Sequence, residues 1–321
     1  MTTGSSTPLV PASTAQPPPA GGSHQGVARP GKVKRLTGLD RVVVTLMVAI
    51  PTVIVLALVW FPALGSVVLS FTNWDGIGPI REISFIGLEN YRNIVTNYPP
   101  FWPAMQNNLI WLAAMFLVAT PLGMFLAVLL DTELRFSRVY QTALYMPVVL
   151  SLALVAFIWQ LMYSRDQGLI NSLFGSQVDW FGDPSVNLGA ALVATGWQHT
   201  GYIMLLYLAG LKGVDPSLRE AASMDGANEV KTFFSIVFPV MRPINVIVLV
   251  ITVIQSLRAF DLVWVINKGR NGLELISALV TANVIGEASR IGFGSALATI
   301  MLIISTVFVA VYVQITLKDA K

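Results

Sequence analysis

The chain has 321 residues, of which 55% are hydrophobic and 12% charged, with a formal net charge of +3 and no cysteine. Soluble domains carry roughly 25% charged residues, so about half of the usual charge is missing, and recurring apolar runs of about 20 residues account for the deficit. This excludes a soluble domain, the small net charge gives no argument for a polyanion-binding surface, and the missing thiols exclude disulfides, thiolate metal sites and cysteine nucleophiles.

Residues 1–28 are rich in Pro, Ser, Thr, Gly and Ala (TPLVPASTAQPPPAGGSHQG). They cannot bury enough apolar surface to offset their ordering entropy, which predicts a disordered tail. No short apolar run with a small-residue cleavage site marks a signal peptide. Residues 29–41 form a basic segment before the first apolar run. The stretch GVARPGKV (26–33) nearly spells a phosphate-binding loop, but Val33 stands where Ser or Thr should hold Mg²⁺ and no strand precedes it. Attraction of this basic patch to anionic lipid headgroups is the favoured reading.

Six spans follow within residues 42–317: Val42–Ser70, Asn107–Leu130, Val139–Tyr163, Leu188–Leu211, Pro243–Ile266 and Phe293–Leu317. At 1.5 Å per residue each can cross a hydrocarbon core of about 30 Å, which predicts an all-α integral membrane protein. Pro51, Pro62, Pro121 and Pro147 lie inside spans and predict kinks. With the N-terminus inside, thirteen Lys and Arg fall in inner segments and six in outer loops, with Arg258 inside a span. That bias puts both termini in the cytoplasm, residues 318–321 included.

The inner loop between spans four and five, residues 212–239, contains EAASMDGANEVKTFFSIVFP (220–239). Asp215-Pro216 suits a helix start, Ser217 with Glu220 fits a reciprocal cap, and Asp225-Gly226 breaks the helix. A second helix is expected over Asn228–Phe238, stopped by Pro239. Its Val230, Phe233, Phe234 and Val237 fall on one face. On pattern alone, an amphipathic helix pair lying on the lipid surface stays open beside a protein-docking role.

Glu220, Ala221, Ala222 and Gly226, then Ile236 and Pro239, spell E-A-A-x-x-x-G, nine residues, I-x-x-P. This resembles the coupling loop of bacterial ABC importer permeases, with Phe238 in place of the usual leucine. FIGLENY (85–91), MPVVLSLALVAFIWQLMYSRDQGLIN (146–171), Trp197 and FDLVWVINKG (260–269) are similar to carbohydrate permeases of the maltose and glycerol-phosphate type. The likeness covers residues 40–321. It departs where Gly269-Arg270-Asn271 replaces the frequent G-G-P. The resemblance implies a six-helix permease of the type I ABC importer fold in a bacterial plasma membrane. Its implied partners are a second six-span permease, an ATP-binding subunit dimer, an extracellular solute-binding protein and a sugar. ATP and Mg²⁺ are then bound by the ATPase, and this chain holds no cofactor. Glu220, Ala221, Ala222, Asp225, Gly226, Phe233, Ile236 and Pro239 become the coupling surface, with Glu220 paired to a basic residue of the ATPase.

Polar residues inside spans mark a pathway or a packed interface. Gln198, His199 and Tyr202 in span four, with Gln255 and Arg258 in span five, are the candidate substrate pathway. Aromatic faces would stack on sugar rings while amides and charges bind hydroxyls. Interhelical packing is the alternative for all of them, and Arg258 with Asp261 also suits a structural ion pair. His24 and His199 are the only histidines and do not make a metal site. Asp179 and Asp183, beside Trp180 and Phe181, suit either docking of a binding protein or a solvated loop. A secondary transporter would want more buried acids and matched half-repeats, and an enzyme a catalytic set; neither is legible. Within the importer class, glycerol 3-phosphate or another non-sugar solute rivals a sugar.

Overall fold

The computed structural model describes residues 37–77, 79, 81, 83–132, 135–286 and 289–318, of which 315–318 by backbone only. The expected tail (1–28), the basic segment up to residue 36, the 26–33 stretch, His24 and residues 319–321 lie outside the described residues. Among the described residues the chain is helical, and its β contact is an isolated antiparallel bridge from Thr72 to Phe85.

The chain divides into two units at Val55. The first provides α1 (Gly38–Val55), which contains Pro51 and buries none of its side chains. Its apolar length suits a membrane span. The second unit starts with a π segment, Leu56–Trp60, and α2 (Phe61–Leu69). It continues through α3 (Glu89–Asn97), α4 (Phe101–Ala114), a second π segment (Met115–Ala119) and α5 (Thr120–Asp131). Then come α6 (Ser137–Val149), α7 (Leu152–Met162), the short α8 (Leu169–Phe174) and α9 (Asn187–Lys212). The loop carries α10 (Pro216–Met224), α11 (Glu229–Thr232), a third π segment (Phe233–Val237) and α12 (Phe238–Val240). α13 (Arg242–Leu257), α14 (Asp261–Asn267), α15 (Ile276–Val284) and α16 (Ile291–Lys318) complete the chain.

By length and composition, four helical stretches can cross a membrane: Gly38–Leu69, Phe101–Asp131, Arg242–Asn267 and Ile291–Gln314. The count becomes five if the bent pair α6 and α7 crosses as one. The expected third span is therefore not one helix, since α6 and α7 meet at 102°. Leu150 and Ser151 are extended there, and the Ser151 hydroxyl caps α7 by accepting from the Leu154 N–H at 3.2 Å. The expected fifth span is interrupted too. α13 stops at Leu257, and Phe260, with φ −144° and ψ −60°, turns the chain before α14. The expected fourth span is the continuous α9, which falls outside the apolar set. Gly196, Gln198, His199, Thr200 and Gly201 dilute it, and His199, Thr200 and Gly201 are buried against other helices.

The π segments explain three of the prolines. Each ends one residue before an X-Pro step, at Pro62, Pro121 or Pro239. A proline ring presses on the carbonyl one turn back, and widening that turn relieves the clash. The wider bonds are visible: Thr120 N–H donates to the Met115 carbonyl and Phe238 N–H to that of Phe233. Pro239 consequently does not stop the loop helix, contrary to expectation. The helical run from Glu229 passes through it to Val240.

α9 is the axis of the second unit. Ala190, Ala191 and Ala194 pack with Trp111, Val155 and Val263, while Ile203, Met204, Tyr207 and Leu211 pack with Ala127, Leu130 and Val248. A third cluster joins α3, α4, α15 and α16 through Ile94, Ala104, Ile276 and Leu297. Two glycines set the approach of α5 and α6 to α9. A Cβ on Gly123 would lie 2.9 Å from Ile203 Cβ, and one on Gly201 would collide with the Leu144 carbonyl oxygen. Gly123→Val or Gly201→Val should therefore cost about 1–3 kcal/mol through overpacking. The expected result is a lower melting temperature in detergent, with Gly189→Ala, which meets nothing within 4 Å, as the neutral control. Unchanged melting of both valine variants would contradict this packing.

Candidate functional site

Two places in the second unit carry the residues singled out by sequence. The first is a cavity of about 490 Å³ bounded by α4, the second π segment, α9, the α6–α7 break and the α13–α14 break. Gln198, His199, Tyr202, Gln255 and Arg258 all line it, together with Asp261. Trp111, Met115 and Phe260 supply apolar and aromatic wall.

The helix breaks put backbone polar groups at this depth, and side chains take them up. Gln198 Nε2 donates at 2.7 Å to the Leu150 carbonyl, freed where α6 ends, and at 3.0 Å to the Pro147 carbonyl, which also accepts the Leu150 N–H. The Ser277 hydroxyl donates to the Ala259 carbonyl in the other break. His199, 4% exposed, bridges α9 to α13: its Nδ1 is 3.2 Å from Gln255 Oε1 and its Nε2 3.1 Å from Thr252 Oγ1. With Gln255 presenting its carbonyl oxygen, Nδ1 carries the proton and Nε2 accepts from Thr252. Among the described residues no ion pair joins Arg258 to Asp261. The expected structural pair is thus not made, because the break at Ala259-Phe260 removes the helical spacing that would bring them together. Two wall residues escaped sequence reading: the hydroxyls of Thr195 and Ser256 are buried without a protein partner. A buried hydroxyl is costly when unbonded, so a polar guest in this cavity would gain by meeting them.

The second place is the loop. The Asp215 carboxylate caps α10 by accepting from the Ser217 N–H at 2.9 Å. The backbone bond, then the Ser217 side chain, holds the Asp215 carboxyl below the usual carboxylate range, so this cap is present above that range and lost as pH falls through the lowered value. Asp215 is therefore the cap, and the anticipated reciprocal pair of Ser217 with Glu220 is not the one formed. Gly226 takes φ +76°, a left-handed angle that glycine alone adopts without strain, and turns the chain between α10 and α11. Asn228 caps α11 by accepting from the Lys231 N–H at 2.8 Å. Glu220, Ala221, Asp225, Gly226 and Pro239 are exposed, Phe233 and Ile236 half-buried, and Ala222 buried. The anticipated apolar face is split by the π segment: Val237 is 3% exposed, whereas Val230 and Phe234 stay 66% and 59% exposed. Sequence reading also missed Asp131, whose carboxylate receives Arg219 of α10 and Lys212 of α9. An acid at the end of an apolar run was the available signal.

The remaining motifs make local contacts. In FIGLENY, Asn90 Nδ2 donates to the carbonyls of Ser70 at 2.9 Å and Thr72 at 2.8 Å, and the Tyr91 hydroxyl meets Ser70 Oγ at 2.6 Å. Asn171 closes its own loop by donating to the Val178 carbonyl and accepting from Trp180 Nε1, both at 2.8 Å. Trp180, tilted, and Phe181, edge-on, pack against Tyr163, each at 5.2 Å, and Asp179 and Asp183 bond to nearby N–H groups of their own turn. Where Gly269-Arg270-Asn271 replaces the expected pattern, Lys268, Gly269, Asn271 and Gly272 take left-handed angles. Asn187 Nδ2 donates to the Asn271 carbonyl at 2.6 Å and holds that loop to the start of α9. Among the described residues no cluster of three metal-ligating side chains occurs.

The sequence pattern of the family described as "Binding-protein-dependent transport system inner membrane component" matches residues 27–317. The xylose/arabinose import permease protein of Haloferax volcanii is 32% identical over 259 residues, 78% of this chain and 80% of that protein. The trehalose/maltose transport system permease protein of Thermococcus litoralis is 29% identical over 266 residues, 82% of this chain and 89% of that protein. The fold is that of a chain in the crystal structure of a bacterial ABC transporter involved in the import of the acidic polysaccharide alginate. There the TM-score is 0.75 at 20% identity, over 88% of this chain and 98% of that one.

Gln198→Leu separates packing from ligand binding. It leaves the Leu150 carbonyl without its donor, at about 1–3 kcal/mol for a buried unsatisfied group, while the Pro147 carbonyl keeps the Leu150 N–H. The purified variant should melt at a clearly lower temperature with no solute present; unchanged melting would release Gln198 from its role at the break.

Proposed function

The chain belongs to the family of binding-protein-dependent transport system inner membrane components, and from that premise we propose that it is one of two permeases of an ATP-driven sugar importer. It is embedded in a bacterial plasma membrane, crosses it six times and keeps both termini in the cytoplasm. The fourth crossing is α9, whose polar residues face protein, and the third is the bent pair α6 and α7. The carrying observation is the gathering of Gln198, His199, Tyr202, Gln255 and Arg258 around one cavity of about 490 Å³, on the helices that hold the loop.

The cavity is the solute pathway. Trp111, Tyr202 and Phe260 offer faces for a sugar ring, and Gln255, Thr195 and Ser256 offer partners for hydroxyls. Two similar permeases are named for pentose and for trehalose or maltose transport, which supports a sugar. A second reading, an anionic solute such as glycerol 3-phosphate, is favoured by Arg258, which lines the cavity without an ion pair to Asp261.

The loop is the coupling surface. Glu220 on α10 and Asp225 at its end are exposed, Gly226 sets the angle to α11, and Phe233 and Val237 root the loop in the bundle. A separate ATPase dimer, which binds the ATP and Mg²⁺, pushes this body. A binding protein delivers solute on the opposite side. The push shifts the helices from inward-facing to outward-facing as rigid bodies.

Glu220→Lys reverses the charge offered to the ATPase, and Gly226→Pro imposes a φ near −65° where +76° is needed. Both should abolish ATP-dependent uptake of labelled xylose, arabinose, maltose or trehalose while insertion into the membrane is unchanged. Full uptake by both variants would refute the coupling role. Gln255→Ala and Tyr202→Ala should raise the KM for uptake about tenfold, the effect of losing about 1.4 kcal/mol of binding; an unchanged KM would make them packing residues.

A further inference from the structure

Asp131 is the last residue of α5, where a helix carries partial negative charge and a carboxylate is unfavourable. Its side chain is nevertheless 10% exposed, and its two oxygens are divided between two cations. Oδ2 accepts from Arg219 Nη1 at 2.8 Å, and Oδ1 lies 3.1 Å from Lys212 Nζ. The cations come from separate elements: Lys212 ends α9, and Arg219 sits in α10 immediately before Glu220. Lys212 is 63% exposed and well screened, so the Arg219 bond is the stronger half of the clamp.

Leu130 and Leu211, the sequence neighbours of Asp131 and Lys212, belong with Val214 and Val237 to one apolar cluster, and α10 itself buries Ala222. Apolar contact is non-directional and lets one surface slide over another, whereas a charge-assisted hydrogen bond fixes direction. The far end of the loop has its own tie, Asn245 Nδ2 donating to the Phe238 carbonyl at 3.0 Å. From Asp131 the helical run leads back through α5 and the second π segment to Met115 in the cavity wall, about 24 Å at 1.5 Å per residue.

On the reading of α10 as the coupling helix, we propose that Asp131 is a positioning residue of transport. Its carboxylate is the clamp that converts a push on α10 into movement of α5, and so into a change at the cavity wall. Without it α10 slips and ATP hydrolysis runs without moving solute.

The test uses the whole complex, captured through a tag on this chain and placed in liposomes. Asp131→Asn and Arg219→Gln should each lower labelled-sugar uptake per ATP hydrolysed about tenfold, the size of one lost charge-assisted hydrogen bond. The double variant should be no worse than either alone, and Asp131→Glu should recover most of the yield. Spin labels on Ser223→Cys and Leu129→Cys should report one narrow distance with ATP and vanadate, broadened by Asp131→Asn. An unbroadened distance, a normal uptake yield or additive losses would each overturn the clamp. Glu220→Lys in the same liposomes keeps the two ideas apart. If it stops uptake while Asp131→Asn does not, the clamp fails and the coupling surface stands; if it leaves uptake intact, the coupling reading itself fails.

Discussion

In hydrocarbon a backbone carbonyl freed by a broken helix is costly unless a protein group reaches it. This chain breaks its helices at Leu150-Ser151 and at Ala259-Phe260, and both breaks border the same cavity. Gln198 supplies the donor at one and Ser277 at the other. The breaks are tolerated because α9 and α15 pass close enough to serve them, and that closeness depends on small residues such as Gly201. Polar lining for a solute and closure of the breaks are therefore one arrangement.

The same constraint explains which readings of the sequence held. The helical class, the start of α10 at Asp215-Pro216 and the turn at Gly226 rest on local chemistry, which three or four adjacent residues encode. The 102° bend was illegible because MPVVLSLALVAFIW is apolar on both sides of it. Only Pro147 and Ser151 hint at a break, and the donor that stabilises it lies about 50 residues away in sequence, at Gln198. Pro239 reads as a stop by propensity, yet a widened turn absorbs it. Arg258 and Asp261 read as a pair by helical spacing, and lose that spacing where the helix itself ends.

The candidate site was half legible. Gln198, His199, Tyr202, Gln255 and Arg258 stand out because polar groups are conspicuous against an apolar background, and they do share one cavity. Thr195 and Ser256 did not, since small hydroxyl residues are common in membrane helices and only burial without a partner distinguishes them. Asp131 is a long-range feature: its significance comes from Lys212 and Arg219, more than 80 residues later in sequence.

Packed helices join the loop to the cavity, and coupling to an ATPase requires that loop to face the cytoplasm. The chain has no cysteine, so a single thiol introduced at Met224, which is 88% exposed, reports without background. A membrane-impermeant maleimide applied to cells carrying Met224→Cys should leave intact cells unlabelled and label inverted membrane vesicles. Labelling from outside in intact cells would place α10 on the wrong side of the bilayer and contradict the account.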